Sequence, residues 1–130
     1  MEHFEHVGLR GFYRPVARVT LDRGIEMIGT AVRSAREMGL TDLMVNVTGL
    51  TGYTIDGVFS RYAYATMLAQ NAGSKLRVVS VFPSEIIDPT KIGVLMAQNR
   101  GVETNVFASE AEALTWLDAR IAAGRIRATR

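Results

Sequence analysis

Apolar and polar positions along the chain fall into blocks, and most blocks carry a period. From Leu21 to Met38, the residues Leu21, Ile25, Ile28, Val32 and Ala35 recur at steps of four and three. That spacing predicts one buried face of a helix, which Gly39 closes. "LMVNV" (Leu43 to Val47) and "LRVVSVF" (Leu76 to Phe82) are nearly unbroken apolar runs, the pattern of strands covered on both faces. Between them, Ile55, Val58, Phe59, Tyr62 and Thr66 predict the inner side of a second helix, with Thr54 as its N-cap and Gly73 past its end. Asp88-Pro89 predicts a further helix start, and Gly101 its end. "ETNVF" (Glu103 to Phe107) reads as the last strand. Ser109-Glu110-Ala111-Glu112 is a capping box; the helix it opens would bury Leu114, Leu117 and Ile121, with Trp116 at the flank. Nearer the start, "VGLRGF" (Val7 to Phe12) is a weaker strand candidate, interrupted by Pro15.

Strands separated by helices need crossover connections, which predicts a largely parallel sheet packed against helices. The expected fold is a small α/β sandwich with a four- to five-stranded, mostly parallel (mixed) sheet and about four helices. No repeat, low-complexity tract or linker divides the chain. One domain is therefore expected over residues 1–122, followed by a basic tail, 123–130.

Composition alters this picture mainly by exclusion. The 130 residues are 48% apolar and 22% charged, which suits a domain that folds on its own core. Cysteine is absent, so disulfides, thiolate metal sites and cysteine nucleophiles are excluded. The opening "MEHFEHVGLRGF" has acids where a secretory leader needs bases, and no apolar run approaches the ~18 residues that span a bilayer. A cytoplasmic location and no membrane span are the expectation, which leaves the Asn46-Val47-Thr48 glycosylation triplet idle. The net charge is +2, and its basic end holds Arg120, Arg125, Arg127 and Arg130. No aromatic follows Trp116, so the tail offers no stacking platform and nucleic acid is not expected as a partner.

The loop "VNVTGLTGYTIDG" (Val45 to Gly57) joins an apolar strand to a helix. A Walker loop needs lysine and Ser/Thr after its last glycine, whereas Val58 and Phe59 follow Gly57. Gly49, Gly52 and Gly57 do not supply the G-x-G-x-x-G spacing of a dinucleotide loop. Asp56 stands in the helix's first turn and complements its dipole. The only histidines, His3 and His6, lie in the N-terminal segment with Glu2 and Glu5, and nothing else completes a coordination shell, so no metal is expected. Glu85 and Asp88 follow the carboxyl end of a strand, where ligands bind in open α/β sheets. No histidine or lysine pairs with either in sequence, which favours a capping Asp88 and a solvated Glu85. Lys91 is one turn from Asp88, within reach of a weak bridge. No catalytic residue, cofactor or enzymatic activity is expected.

Two features are less ordinary. Ile86 and Ile87 are consecutive apolar residues in a loop, and with Pro83 they read as a lid or contact surface. Tyr62 falls on the predicted core face of its helix, while Tyr64 falls off it beside Arg61 and reads as a surface residue.

In this order of elements, "LTDLMVNVTGLTGYTIDGVFSRYAYA" (Leu40 to Ala65) and "NRGVETNVFASEAEALTWL" (Asn99 to Leu117) resemble the STAS-domain superfamily. The resemblance is to its stand-alone bacterial members similar to sporulation anti-sigma-factor antagonists, which are also compared with the CRAL-TRIO lipid-binding domain. It spans Val7 to Leu117 and implies a regulatory fold acting through protein contact. In regulatory members the loop before the central helix carries Asp-Ser-Ser-Gly, with one serine phosphorylated. Laid on Gly57, that motif places Thr54, Ile55 and Asp56 at its first three positions, so the phosphorylated serine is missing. The expectation is a non-enzymatic binding domain without a phosphoserine switch. Its contact surface would comprise Thr48, Thr51, Tyr53, Thr54, Asp56, Arg61, Tyr64, Ser84, Glu85, Ile86 and Ile87. The protein partner is unidentified, and a homodimer is compatible with the same surface. The rival expectation is a small apolar or lipid-like ligand beneath an Ile86-Ile87 lid.

Overall fold

The computed structural model describes residues 1–55 and 57–128, with side chains as far as Arg120. Strands β1 (Phe4–Val7) and β2 (Arg10–Tyr13) form an antiparallel hairpin. Helix α1 spans Leu21–Glu37, β4 Asp42–Asn46, α2 Gly57–Asn71 and β6 Arg77–Val81; β3 (Ala17–Arg18) and β5 (Leu50–Thr51) are two-residue pieces between them. A 3-10 turn at Ser84–Ile86 precedes α3 (Ile92–Gln98), β7 (Thr104–Phe107) and α4 (Glu110–Ala128). The main sheet has the order β1-β2-β4-β6-β7, parallel from β2 onward, and β3 and β5 pair separately, also in parallel. This is the mixed, mostly parallel α/β architecture that the patterning predicts.

Alternation along the central strands divides the core. Leu43, Val45 and Val78 point into the layer built by α1, α2 and α3. Met44, Val79 and Val81 point to the other face, where Ala113 and Leu117 of α4 cover them. Successive strand side chains face opposite ways, so two all-apolar strands feed two cores at once. α1 begins where Thr20 accepts the Arg23 amide at 3.2 Å. α4 begins where Ser109 accepts the Glu112 amide at 3.3 Å, the first half of the expected capping box, while the Glu112 carboxylate accepts the Ser109 hydroxyl at 3.0 Å. Leu114 and Trp116 are partly buried beside that core; Ile121 lies outside the described side chains, as does the basic tail from residue 123.

Four expectations need correction. Val7 to Phe12 is not one strand: it contains the hairpin turn, where Gly8 takes a left-handed φ of 58°. α2 does not bury Val58, Phe59 and Tyr62, which are exposed; it buries Ser60, Ala65, Met67 and Leu68. Because α2 starts at Gly57, Thr54 stands three residues upstream of the helix and is not its N-cap. Asp88 and Pro89 lie in a turn ahead of α3, which starts only at Ile92.

Candidate functional site

Strands β2, β4, β6 and β7 run parallel, so their carboxyl ends share one edge of the sheet. The loops leaving that edge build the site. The first turns on Asn46, whose Oδ1 accepts the Thr48 amide at 2.9 Å and the Thr48 hydroxyl at 2.7 Å. An Asx turn of this kind redirects the chain without a helix or strand partner. The chain then forms β5 against β3. A Cβ on Gly49 would lie 2.6 Å from the Pro15 carbonyl oxygen, and Gly52 holds a left-handed φ of 85° against Arg18. Both glycines serve this close strand pairing.

α2 lies across the same edge with Ser60, Tyr64 and Leu68 turned toward the sheet. Tyr64 is the reverse of its expected placement: its ring meets Phe82 edge-on at 5.5 Å, and its hydroxyl shares a 2.7 Å hydrogen bond with buried Ser80. Burial pushes that hydroxyl up to about 12, against a smaller downward pull from the Ser80 bond. Tyr62, expected inside, is 49% exposed with the Arg100 guanidinium 4.8 Å from its ring centre.

The loop after β6 closes the site from above. Arg61 donates to the Ile86 carbonyl at 3.1 Å and to the Gly57 carbonyl at 3.2 Å, pinning the loop to α2. Asp88 accepts the Thr90 hydroxyl at 2.6 Å, the Thr90 amide at 3.2 Å and the Ile92 amide at 3.3 Å. Those bonds, led by the Thr90 hydroxyl, hold its carboxyl below the usual range. Lys91 does not bridge Asp88. Its ammonium donates to Asn105 Oδ1 at 2.8 Å and the Val106 carbonyl at 3.0 Å, and sits 4.7 Å above the centre of the Phe107 ring. The cation nearest Asp88 is Arg61, at 3.9 Å.

Beneath this loop lie two neighbouring cavities of about 80 and 50 Å³. Leu21, Ile25, Ile55, Tyr64, Phe82 and Ile86 line both. Ile87, Val94 and Lys91 belong to the larger, Tyr53 and Ile28 to the smaller. The walls are apolar with a few fixed polar groups, the composition of small-molecule sites in general. Glu85 is exposed, and His6 sits in β1, at the opposite edge of the sheet from β7. His6 Nδ1 lies 3.1 Å from the Gly8 carbonyl oxygen. Among the described residues no group of three or more His, Cys, Asp or Glu could hold a metal ion, and no helix is long and apolar enough to cross a membrane.

The chain is similar to anti-sigma factor antagonist structures. One is SpoIIAA in its unphosphorylated form, at 21% identity and a TM-score of 0.45, covering 88% of this chain and 96% of that one. Another is the Bacillus cell fate determinant SpoIIAA in its phosphorylated form, at 17% identity and a TM-score of 0.42, with the same coverage of 88% and 96%. No family model matches this sequence, and neither does any curated protein.

The sequence-derived contact residues fall into three groups. Tyr53, Arg61, Tyr64, Ile86 and Ile87 come together around the cavities. Thr48, Thr51 and Thr54 are exposed on the β5 side and line neither cavity, and Ser84 and Glu85 are exposed on the outer side of the 3-10 turn. Asp56 lies outside the described residues. Sequence reasoning missed Lys91, Val94 and Asn105 as lining residues, and took Phe59 for core. A lysine two residues beyond Pro89 was the one available signal: with Pro89 in a turn, Lys91 is free to leave the helical pattern.

Proposed function

We propose that this chain is a non-enzymatic regulatory domain of STAS type that acts by protein contact at the start of α2, without a phosphoserine switch. The carrying observation is Phe59, 87% exposed on α2 beside exposed Val58 and Tyr62, with exposed Leu95 on α3. α2 and α3 pack together, so these side chains belong to neighbouring helices. Large apolar groups clustered on a surface mark interaction sites, and burying one phenylalanine is worth about 2 kcal/mol. Arg100, lying over Tyr62, sets a positive border to the patch, which suits a partner with an apolar centre and an acidic rim. The resemblance of Leu40 to Ala65 to the antagonist loop and central helix supports the same surface. Thr54, Ile55 and Asp56 leave no serine to phosphorylate there, and Asp56 supplies a permanent charge in its place.

The test compares affinity capture by wild type, Phe59→Asp and Asp56→Ser, with sedimentation to detect self-association. The reading expects one binding partner, or a dimer, that Phe59→Asp loses and Asp56→Ser alters. Identical capture and sedimentation for all three would remove it.

A second reading, a binder of a small apolar ligand, is favoured by one observation: a cavity does lie beneath Ile86 and Ile87. Native mass spectrometry of the purified protein separates the two, since only this reading expects a co-purified small molecule.

A further inference from the structure

We propose that the cavities take a compact amphiphilic carboxylate, its head group at Lys91 and its short alkyl or aryl tail beneath Ile86, between Ile25 and Phe82. This assignment rests on the small-ligand reading and gives that ligand a chemical class.

Size limits the tail. An apolar cavity of ~150 Å³ holds benzene, and the two cavities here, about 80 and 50 Å³, together approach that volume. The Tyr64–Phe82 ring pair borders both, and the two cavities share much of their wall. A short chain or a single ring fits that space.

Charge selects the head. Lys91 lines the larger cavity, and its ammonium has three protons to place. Two go to neutral acceptors, Asn105 Oδ1 and the Val106 carbonyl, and among the described residues no carboxylate forms an ion pair with it. Its partners, these two oxygens and the Phe107 ring 4.7 Å away, are all formally neutral, and an incoming carboxylate supplies the counter-charge they lack. The candidate counter-ion, Asp88, is already taken by Thr90 and Ile92, and leans toward Arg61 instead. Arg61 and Asp88 also line the cavity and offset each other, which leaves Lys91 as the lining charge without a carboxylate partner among the described residues.

Backbone strain points the same way. Lys91 holds φ at 50°, in the left-handed region that non-glycine residues seldom occupy. Such strain persists where surrounding bonds over-determine it, and it gathers at ligand sites. Here the Asp88 turn supplies those bonds, and the result brings the ammonium back to β7, at the cavity wall, instead of outward along α3.

The experiment is an amide NMR titration of the full chain with hexanoate, 1-hexanol and hexylammonium at neutral pH. The proposal expects shifts around Ile86, Lys91 and Asn105, hexanoate binding about ten-fold or more tighter than hexanol, and hexylammonium weakest. Lys91→Gln should bring hexanoate down to hexanol, and Lys91→Arg should keep the preference. Equal affinity for hexanoate and hexanol overturns the head-group assignment but leaves the small-ligand reading standing. A hexanoate preference that survives Lys91→Gln overturns it as well. No binding of any of the three overturns both. Should Lys91→Gln fail to fold, the three-ligand comparison on wild type and Lys91→Arg still decides.

Discussion

Gly49 and Tyr64 each carry a role that their neighbours in sequence do not announce. Gly49 sits where β5 meets the backbone before β3, and any side chain there collides with the Pro15 carbonyl oxygen at 2.6 Å. Backbone cannot yield as a flexible side chain would, so Gly49→Ala should cost about 2 kcal/mol or more in urea denaturation. Gly57→Ala is the informative contrast: no neighbour lies within 4 Å of a Cβ there, leaving only the strain of its φ of 57°. Tyr64 makes a prediction in alkali. Its hydroxyl is raised from 10.0 to about 12 in the folded chain, so the unfolded chain loses that proton first. The stability this group contributes is complete below pH 10 and declines as pH rises toward 12, by on the order of 2 kcal/mol. Tyr64→Phe should flatten that decline relative to wild type. Parallel curves between pH 9 and 12 would show that the hydroxyl is not buried as described.

At the scale of elements, α2 is where pattern and structure part. Its apolar residues Val58, Phe59, Tyr62, Tyr64, Ala65, Met67 and Leu68 surround most of the helix, so two different faces satisfy a helical period. α1, α3 and the sheet choose between them, and they take Ser60, Tyr64 and Leu68. The choice is measurable by two substitutions. Leu68→Ala should cost about 2–4 kcal/mol, as buried leucines do, while Phe59→Ser should change stability by less than about 0.5 kcal/mol. The opposite order would restore the face expected from periodicity and take away the proposed contact patch. The hairpin was hidden for a related reason. With β1 and β2 four residues each, Gly8 and Leu9 are all that separates them, and a turn that short hardly interrupts an apolar run.

Across the whole molecule, one network ties elements that are remote in sequence. The Arg14 guanidinium, on the segment leaving β2, grips both Glu110 oxygens at 2.8 and 3.0 Å, and Asn46 donates to the same carboxylate at 2.7 Å. The N-terminal hairpin, the end of β4 and the first turn of α4 are thereby locked together. The Arg14 bonds hold the Glu110 carboxyl below its ordinary 4.5. A depressed carboxylate stabilises fully above the unfolded value, and that stability is lost as pH falls through the lower folded value. Wild type should therefore weaken faster than Glu110→Gln as pH drops below about 4.5, measured by urea midpoints at each pH. Equal slopes would show that the network carries no net stability. A second ion pair has a different character: Asp42 is 1% exposed, with one oxygen held by Arg10 at 3.0 Å and the other without a partner. It closes the opposite end of β4 from the cavities.

The sequence by itself determined the alternation of central strands and helices from α1 to α4, the parallel core and the capped start of α4. Those follow from local spacing and from strands whose side chains are apolar on both faces. It also brought Ile86 and Ile87 into view, because consecutive isoleucines in a loop conflict with a solvated turn. Tertiary structure alone decided which way α2 faces, that Gly49 is there for the close pairing of β3 and β5, and that Lys91 turns back onto β7. Each of these depends on an atom more than ten residues away in the chain, and no local period encodes what will stand opposite.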